Sequence, residues 1–247
     1  MPRTVKEYDE RRIDFMEATK LFFFTIGYEK MSVQKLTEQV GVAKGTFYHY
    51  FKSKEDLLSQ WVIYEMNPII ERHYMIVDDK EMDAITKLSI ILKNERDWTL
   101  DHLDLMLAIL KVMYDAGNIR LRTEMARQSA ILSQPILEKV IIQGVNEGSF
   151  NTQYPKEVSQ KLPRLFDLYT EDIARVILNQ HQGKEIQYEE VQRIVDVWQE
   201  VIERVLGAAS RSIKFIDNEL LKQMVNQVKQ KSTAIDSYNK KTSLQTI

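Results

Sequence analysis

Along almost the whole chain, apolar residues recur at spacings of three and four, and no stretch combines strand-like alternation with turn chemistry. That period belongs to amphipathic helix, so the pattern predicts an all-α protein. Phe15, Ala18, Thr19, Phe22, Phe23 and Ile26 line one face of a helix over residues 10–26, which Gly27 ends. Val33, Leu36, Thr37 and Val40 give the next helix, with Ser32 as its cap and Gly41 as the turn behind it. Phe47 and Phe51 lie four apart and predict a third helix over 43–50, its aromatic pair pointing inward. Ser53 and Asp56 have the spacing of a capping box before Leu57, Leu58, Trp61 and Val62. Pro68 should bend or interrupt that fourth helix.

The remainder also reads as helix. Residues 100–116 are apolar nearly all the way round, which predicts a helix buried on most sides. A longer helix over 119–147 should break or bend at Pro135 and stop near Gly148. Two more follow, over 155–181 with an interruption at Pro163, and over 188–206 with a wide apolar stripe. Residues 210–231 suit one further amphipathic helix. Residues 232–247 are polar and patternless, which predicts a frayed tail.

Composition narrows the class. The 247 residues include only 8 Gly and 5 Pro, so long helices are favoured. Cysteine is absent, which excludes disulfides and thiolate metal sites. No run is long and apolar enough for a membrane span or a secretory leader, and a cytoplasmic protein is expected. The net charge of −2 hides a strong asymmetry. Residues 30–54 carry Lys30, Lys35, Lys44, Lys52 and Lys54 against Glu38 alone, and residues 211–247 are also basic, with an acidic body between. Affinity for nucleic acid follows such local fields rather than the whole-chain charge.

The segment 31–51, MSVQKLTEQVGVAKGTFYHYF, joins two short helices at a glycine. With the preceding FMEATKLFFFTIGYEK and the following KSKEDLL, it resembles the tetracycline-repressor (TetR) family of regulators. Gly41-Val42, Gly45-Thr46, Phe47-Tyr48, Phe51, Lys54 and Leu57 stand where the family pattern places them. Thr37 and Val40 replace small alanines and Ala43 replaces a common serine. The resemblance covers under a fifth of the chain. It implies an N-terminal three-helix DNA-binding domain over 8–68 with its helix-turn-helix at 31–50. A helical effector-binding and dimerisation domain over 69–231 would follow, then the polar tail over 232–247.

The same resemblance places the third helix in the major groove of double-stranded operator DNA. The side chains sort into two roles. Ser32, Tyr48 and Lys54 suit phosphate oxygens, helped by backbone N–H groups at the helix starts. Lys44, Thr46 and His49 suit base edges, since an ammonium can donate to guanine and a threonine methyl can meet a thymine methyl. Gly45 has no side chain and admits close approach. Phe47 and Phe51 are core and support the contacts from behind.

One such reading head covers few base pairs, and regulators of this shape pair up. Family analogy puts a homodimer face on the two late helices, with Leu165, Tyr169, Ile173, Ile177, Ile194, Trp198, Ile202 and Val205 as candidates. It puts the pocket for an unidentified small-molecule effector among Met106, Ile109, Leu110, Met113, Tyr114, Met125, Leu132 and Leu137. The plain alternative for each is ordinary core packing. Asp97, Asp101 and Asp104 fall on one side of the central helix, as a solvated face or a balance for a cationic ligand.

An enzyme is the rival class. Asp78, Asp79 and Asp83 faintly resemble a magnesium-binding motif but have no second acidic partner, and His49, His73, His102 and His181 show no metal-ligand spacing. No nucleophile elbow or phosphate loop occurs. The expectation is therefore a non-enzyme with no catalytic residues, cofactor or metal: a repressor whose operator binding a ligand modulates. The alternative is a co-regulator of the same fold acting through a protein partner, with the basic stretch 211–247 as its docking feature.

Overall fold

The computed structural model describes residues 5–114, 118–180 and 184–243. Among them the regular elements are all helices: α1 (Val5–Thr25), α2 (Gly27–Lys30), α3 (Val33–Val40), α4 (Lys44–Phe47), α5 (Lys54–Asp78), α6 (Ala84–Asp101), α7 (Leu103–Met113), α8 (Ile119–Glu147), α9 (Pro155–Gln180), α10 (Tyr188–Leu206) and α11 (Asn218–Ser243). They form two compact units. The first holds the chain up to Pro68 together with Leu107–Met125, and the second holds Ile69–Met106 and the chain from Ala126 onward. Leu107–Met125 thus joins the N-terminal unit, although the sequence placed it with the effector-binding part.

The first unit is built on aromatic packing. Phe15, Phe47, Phe51, Leu57 and Trp61 are essentially inaccessible to solvent. The Phe15 ring meets Phe47 and Phe51 edge-on, with centroids 5.6 and 5.7 Å away. Such contacts add to the burial of apolar area because a ring's positive edge meets a negative face. Polar ties lock α1 to α5: Lys20 Nζ lies 3.1 Å from Glu65 Oε2, and Arg12 donates to Gln60 Oε1 at 3.0 Å.

In the second unit α9, α10 and α11 pack together. Gly207 ends α10 at φ 64°, and a Cβ there would stand 2.4 Å from the Asn151 carbonyl oxygen. The buried Glu203 carboxylate accepts from the backbone N–H of Arg211 at 2.8 Å and of Ile213 at 3.0 Å. These bonds set the path of the chain into α11, which buries Leu221, Val225 and Val228. Lys229 and Lys231 then pair with Glu185 and Asp104. On α5, His73 is 2 % exposed and its Nε2 has no partner. Burial, reinforced by the Arg72 charge, lowers its pKa to about 4, so the ring is neutral at ordinary pH.

Several expectations are corrected. The third helix is shorter than 43–50: regular α4 covers only Lys44–Phe47, and residues 48–50 form a turn. The predicted helix over 100–116 does not start at 100. α6 runs to Asp101 and breaks at His102 before α7, and residues 115–116 lie outside the described residues. The His102 ring stacks on Trp98 at 4.4 Å, with Nδ1 2.9 Å from the Trp98 carbonyl oxygen. Asp97 and Asp101 therefore sit on α6 and Asp104 on α7, not along one helix. Asp97 pairs with Lys93 and Arg96, and Asp104 with Lys231.

None of Pro68, Pro135 and Pro163 ends its helix. Pro68 and Pro135 are exposed, and α5 and α8 continue past them, so neither interrupts its helix. Pro163 is buried beside the fully buried Leu162, and α9 continues past it. The tail expected from 232 is helical backbone to Ser243 in continuation of α11, and residues 244–247 lie outside the described residues.

Candidate nucleic-acid interface

Local chemistry folds the segment 31–57. The Ser32 Oγ accepts from the Lys35 N–H at 3.2 Å and caps α3. Gly41 closes α3 at φ 72°, a conformation that strains residues bearing a Cβ. Its N–H and that of Val42 return to Glu38 and Thr37 carbonyls. At the start of α5, Asp56 N–H donates to Ser53 Oγ at 3.2 Å, and Asp56 Oδ2 accepts from Lys52 N–H at 2.7 Å. That is the reciprocal cap the Ser53–Asp56 spacing predicted, closed on Lys52.

These caps place α4 and its turn as a ridge with two faces. Inward, Phe47, Tyr50 and Phe51 are buried. Outward, Lys44, Gly45, Tyr48 and His49 are exposed and Thr46 is half-buried. Tyr48 keeps 54 % of its surface free while its ring rests edge-on against Phe47. A Cβ added at Gly45 would meet nothing within 4 Å, so the fold does not demand glycine there. Lys44, Tyr48 and His49 make no ion pair among the described residues.

The phosphate candidates divide. Ser32 is exposed beside the ridge. Lys54 is drawn inward: its Nζ donates to the Tyr28 carbonyl at 3.2 Å and lies 3.9 Å from the centre of the Tyr28 ring. The neighbouring Glu55 carboxyl is held below its usual range, chiefly by the Ser53 hydroxyl, with Lys54 and Tyr28 adding to the effect. The start of α5 is thus already supplied with anionic and hydroxyl oxygens. The Lys54 ammonium is the cationic group at that helix start, and it is turned toward Tyr28.

The acidic cluster of the rival enzyme reading is dispersed into structural roles. Asp78 pairs with Lys139, Asp79 accepts from the Glu81 N–H, and Asp83 caps α6 through the Thr86 N–H. Among the described residues no three His, Asp or Glu side chains gather as a metal site, and no helix is long and apolar enough to cross a membrane. His181 lies outside the described residues.

Candidate dimer and pocket residues scatter more. Leu165, Tyr169, Ile173, Ile177, Ile194 and Trp198 are half-buried and Val205 is exposed. Ile202 is 1 % exposed within its own chain, so it is core and has no surface to offer a partner. Leu168 and Val197 are exposed apolar side chains that the sequence reading did not name, and Val201 lies on the stripe as read from the sequence but was not counted as a dimer candidate. Val197 and Val201 complete an i, i+3, i+4, i+7, i+11 stripe with Ile194, Trp198 and Val205, a spacing readable in the sequence. Ile109, Leu110 and Leu137 are core, and Met106, Met113, Tyr114, Met125 and Leu132 are half-buried. Ile109, Leu110, Met113, Tyr114 and Met125 belong to the first unit, Met106, Leu132 and Leu137 to the second.

A capped helix, a glycine turn and a short basic ridge on an aromatic base define a helix-turn-helix DNA-binding domain. Residues 15–60 match the model of the bacterial regulatory proteins, tetR family, and the chain is a TetR family transcription regulator. It is 28 % identical over 156 residues to the fatty acid metabolism regulator protein of Bacillus subtilis, covering 62 % of this chain and 76 % of that one. Its fold is similar to that of a TetR transcription regulator from Haloarcula marismortui, at TM-score 0.55 and 18 % identity over 81 % of this chain and 97 % of the other. The fold is also similar to that of the regulator FadR from Bacillus subtilis in complex with stearoyl-CoA. There the TM-score is 0.53 and identity 22 %, over 80 % of this chain and 98 % of that one.

Proposed function

We propose that this protein is a homodimeric repressor that grips operator DNA through α4 and its turn and releases it on binding a long-chain acyl thioester of coenzyme A. The carrying observation is the outward ridge, on which Lys44, Tyr48 and His49 stand exposed, with no ion-pair partner among the described residues, above a closed aromatic core. Lys44, Thr46 and His49 read bases. Ser32, Tyr48 and Lys54 hold phosphates, and Gly45 lets the backbone come close. The acyl-CoA class is supported by the likeness to the Bacillus subtilis fatty acid regulator and to the FadR bound to stearoyl-CoA. An effector that prefers another arrangement of the body shifts the population away from the DNA-binding one.

Pairing is supported by the stripe on α10, where Val197 is 49 % exposed and Val205 37 %, with Leu168 of α9 at 42 %. The second copy is the fitting occupant because a single reading head needs a twin for a full operator.

The test is a mobility-shift titration against duplexes selected from a random pool, with and without palmitoyl-CoA. Saturable, salt-sensitive binding that palmitoyl-CoA reverses supports the reading. Binding that palmitoyl-CoA leaves untouched removes the effector class. Lys44→Ala should lose about 2 kcal/mol of discrimination at one base pair, and an unchanged sequence preference would remove Lys44 from base reading. Val197→Glu should shift the protein to monomer in sedimentation velocity and weaken operator binding about tenfold or more. A dimer that persists in Val197→Glu would place the interface elsewhere.

A further inference from the structure

Lys87 is the one lysine among the buried polar and charged side chains of the described residues, at 2 % exposure. Its Nζ donates to the Val77 carbonyl at 2.9 Å and to Gln143 Oε1 at 2.7 Å. Both acceptors are neutral, and no carboxylate pairs with it. Burying a cation without a counter-ion is expensive, and an apolar side chain of similar size would often serve stability as well or better. Its own helix does not explain it either, because Lys87 lies in the first turn of α6, the positive end of that helix.

The other end of its bonds does explain it. Val77 is in the last turn of α5, where carbonyls lack helical partners and the dipole is negative. That turn has no basic residue of its own. Lys87 supplies the missing cation from outside and ties the turn to α8. Around it, Lys139 Nζ meets Asp78 Oδ1 at 2.8 Å, Gln143 donates to the Met82 carbonyl at 2.7 Å and to Glu147, and Glu147 Oε2 accepts from the Ala84 N–H at 2.9 Å. Lys139, Gln143 and Glu147 are four apart and share one face of α8. The Gln143 amide has its oxygen on Lys87 and its nitrogen on Met82 and Glu147, so its orientation is set. α5 itself is one unbroken helix whose first turns carry the cap behind the DNA-reading ridge.

We propose that Lys87 is a positioning residue that couples α8 to the DNA-reading head by holding the last turn of α5 on Gln143. It rests on the DNA-binding reading but on no particular effector. Coupling is reciprocal, so a body that can change DNA affinity must itself respond to DNA.

The test is backbone hydrogen exchange on the full-length protein, free and saturated with its selected duplex, in wild type, Lys87→Met and Gln143→Met. In the wild type, duplex should slow exchange across residues 139–147 by about fivefold. Lys87→Met should bind the same duplex within about twofold of wild type, since it leaves the ridge intact, and lose that slowing. Gln143→Met removes one acceptor while leaving the ammonium in place, and should lose it too should Lys87→Met fold poorly. Slowing that survives in the folded variants, or its absence in the wild type, overturns the proposal. Failure of palmitoyl-CoA to release the duplex overturns the effector class alone.

Discussion

The reading head and the body are made of the same element, yet they hold together differently. The head relies on rings: Phe15 packs edge-on against Phe47 and Phe51 in a small core, and the bends around them have local devices at Ser32, Gly41 and Ser53. The body relies on long aliphatic stripes and a few buried polar groups, among them Lys87, which reaches Gln143 on α8, and Glu203, which ties the end of α10 to the chain leading into α11. The bends of the head are set within a few residues of chain, whereas the Lys87–Gln143 joint of the body needs two segments 56 residues apart to stay together.

Breaking that contrast starts with the rings. Phe47→Ala should cost about 4 kcal/mol, because it opens a cavity at the centre of the cluster, and should abolish duplex binding. Thermal melts followed by circular dichroism give the size, and a loss below about 1 kcal/mol would mean the cluster is dispensable. The body should fail next, and by acid. The His73 pKa is lowered to about 4 from an unfolded value near 6.5, so the unfolded chain takes up the proton first as pH falls. The stability tied to the neutral ring is complete above pH 6.5 and lost progressively toward about 4, a total of roughly 3 kcal/mol. Urea melts at pH 7.5 and 4.5 should show this loss in the wild type and a much smaller one in His73→Leu. Equal acid sensitivity in the two proteins would clear His73. The smallest effect is at a cap: Ser53→Ala should cost about 1 kcal/mol with little change in effector response.

The contrast also governs what could be read from the chain alone. Residues 31–57 were legible because each turn there is specified by its own residues: a serine three positions before the N–H it caps, a glycine at positive φ, two phenylalanines four apart. The break at His102 was not, because no glycine or proline marks it and the stacking on Trp98 that accompanies it is a matter of geometry. Pro163 misled in the opposite direction, since α9 runs past this buried residue although proline locally favours an interruption. Periodicity located the stripe of α10 but could not tell Ile202, packed inside, from Val197, left outside. Lys87 carries no sequence mark, because a lysine near the start of a helix is ordinarily solvated.

The space around the glycine at position 45 carries a consequence for diversification. The fold draws nothing from a side chain at that site, and Lys44 and His49 beside it face outward, while Tyr48 also rests its ring against Phe47. On the proposed reading, target choice at positions 44, 45 and 49 is then separable from foldedness, and exchanging those solvent-facing side chains should change the operator with little effect on stability.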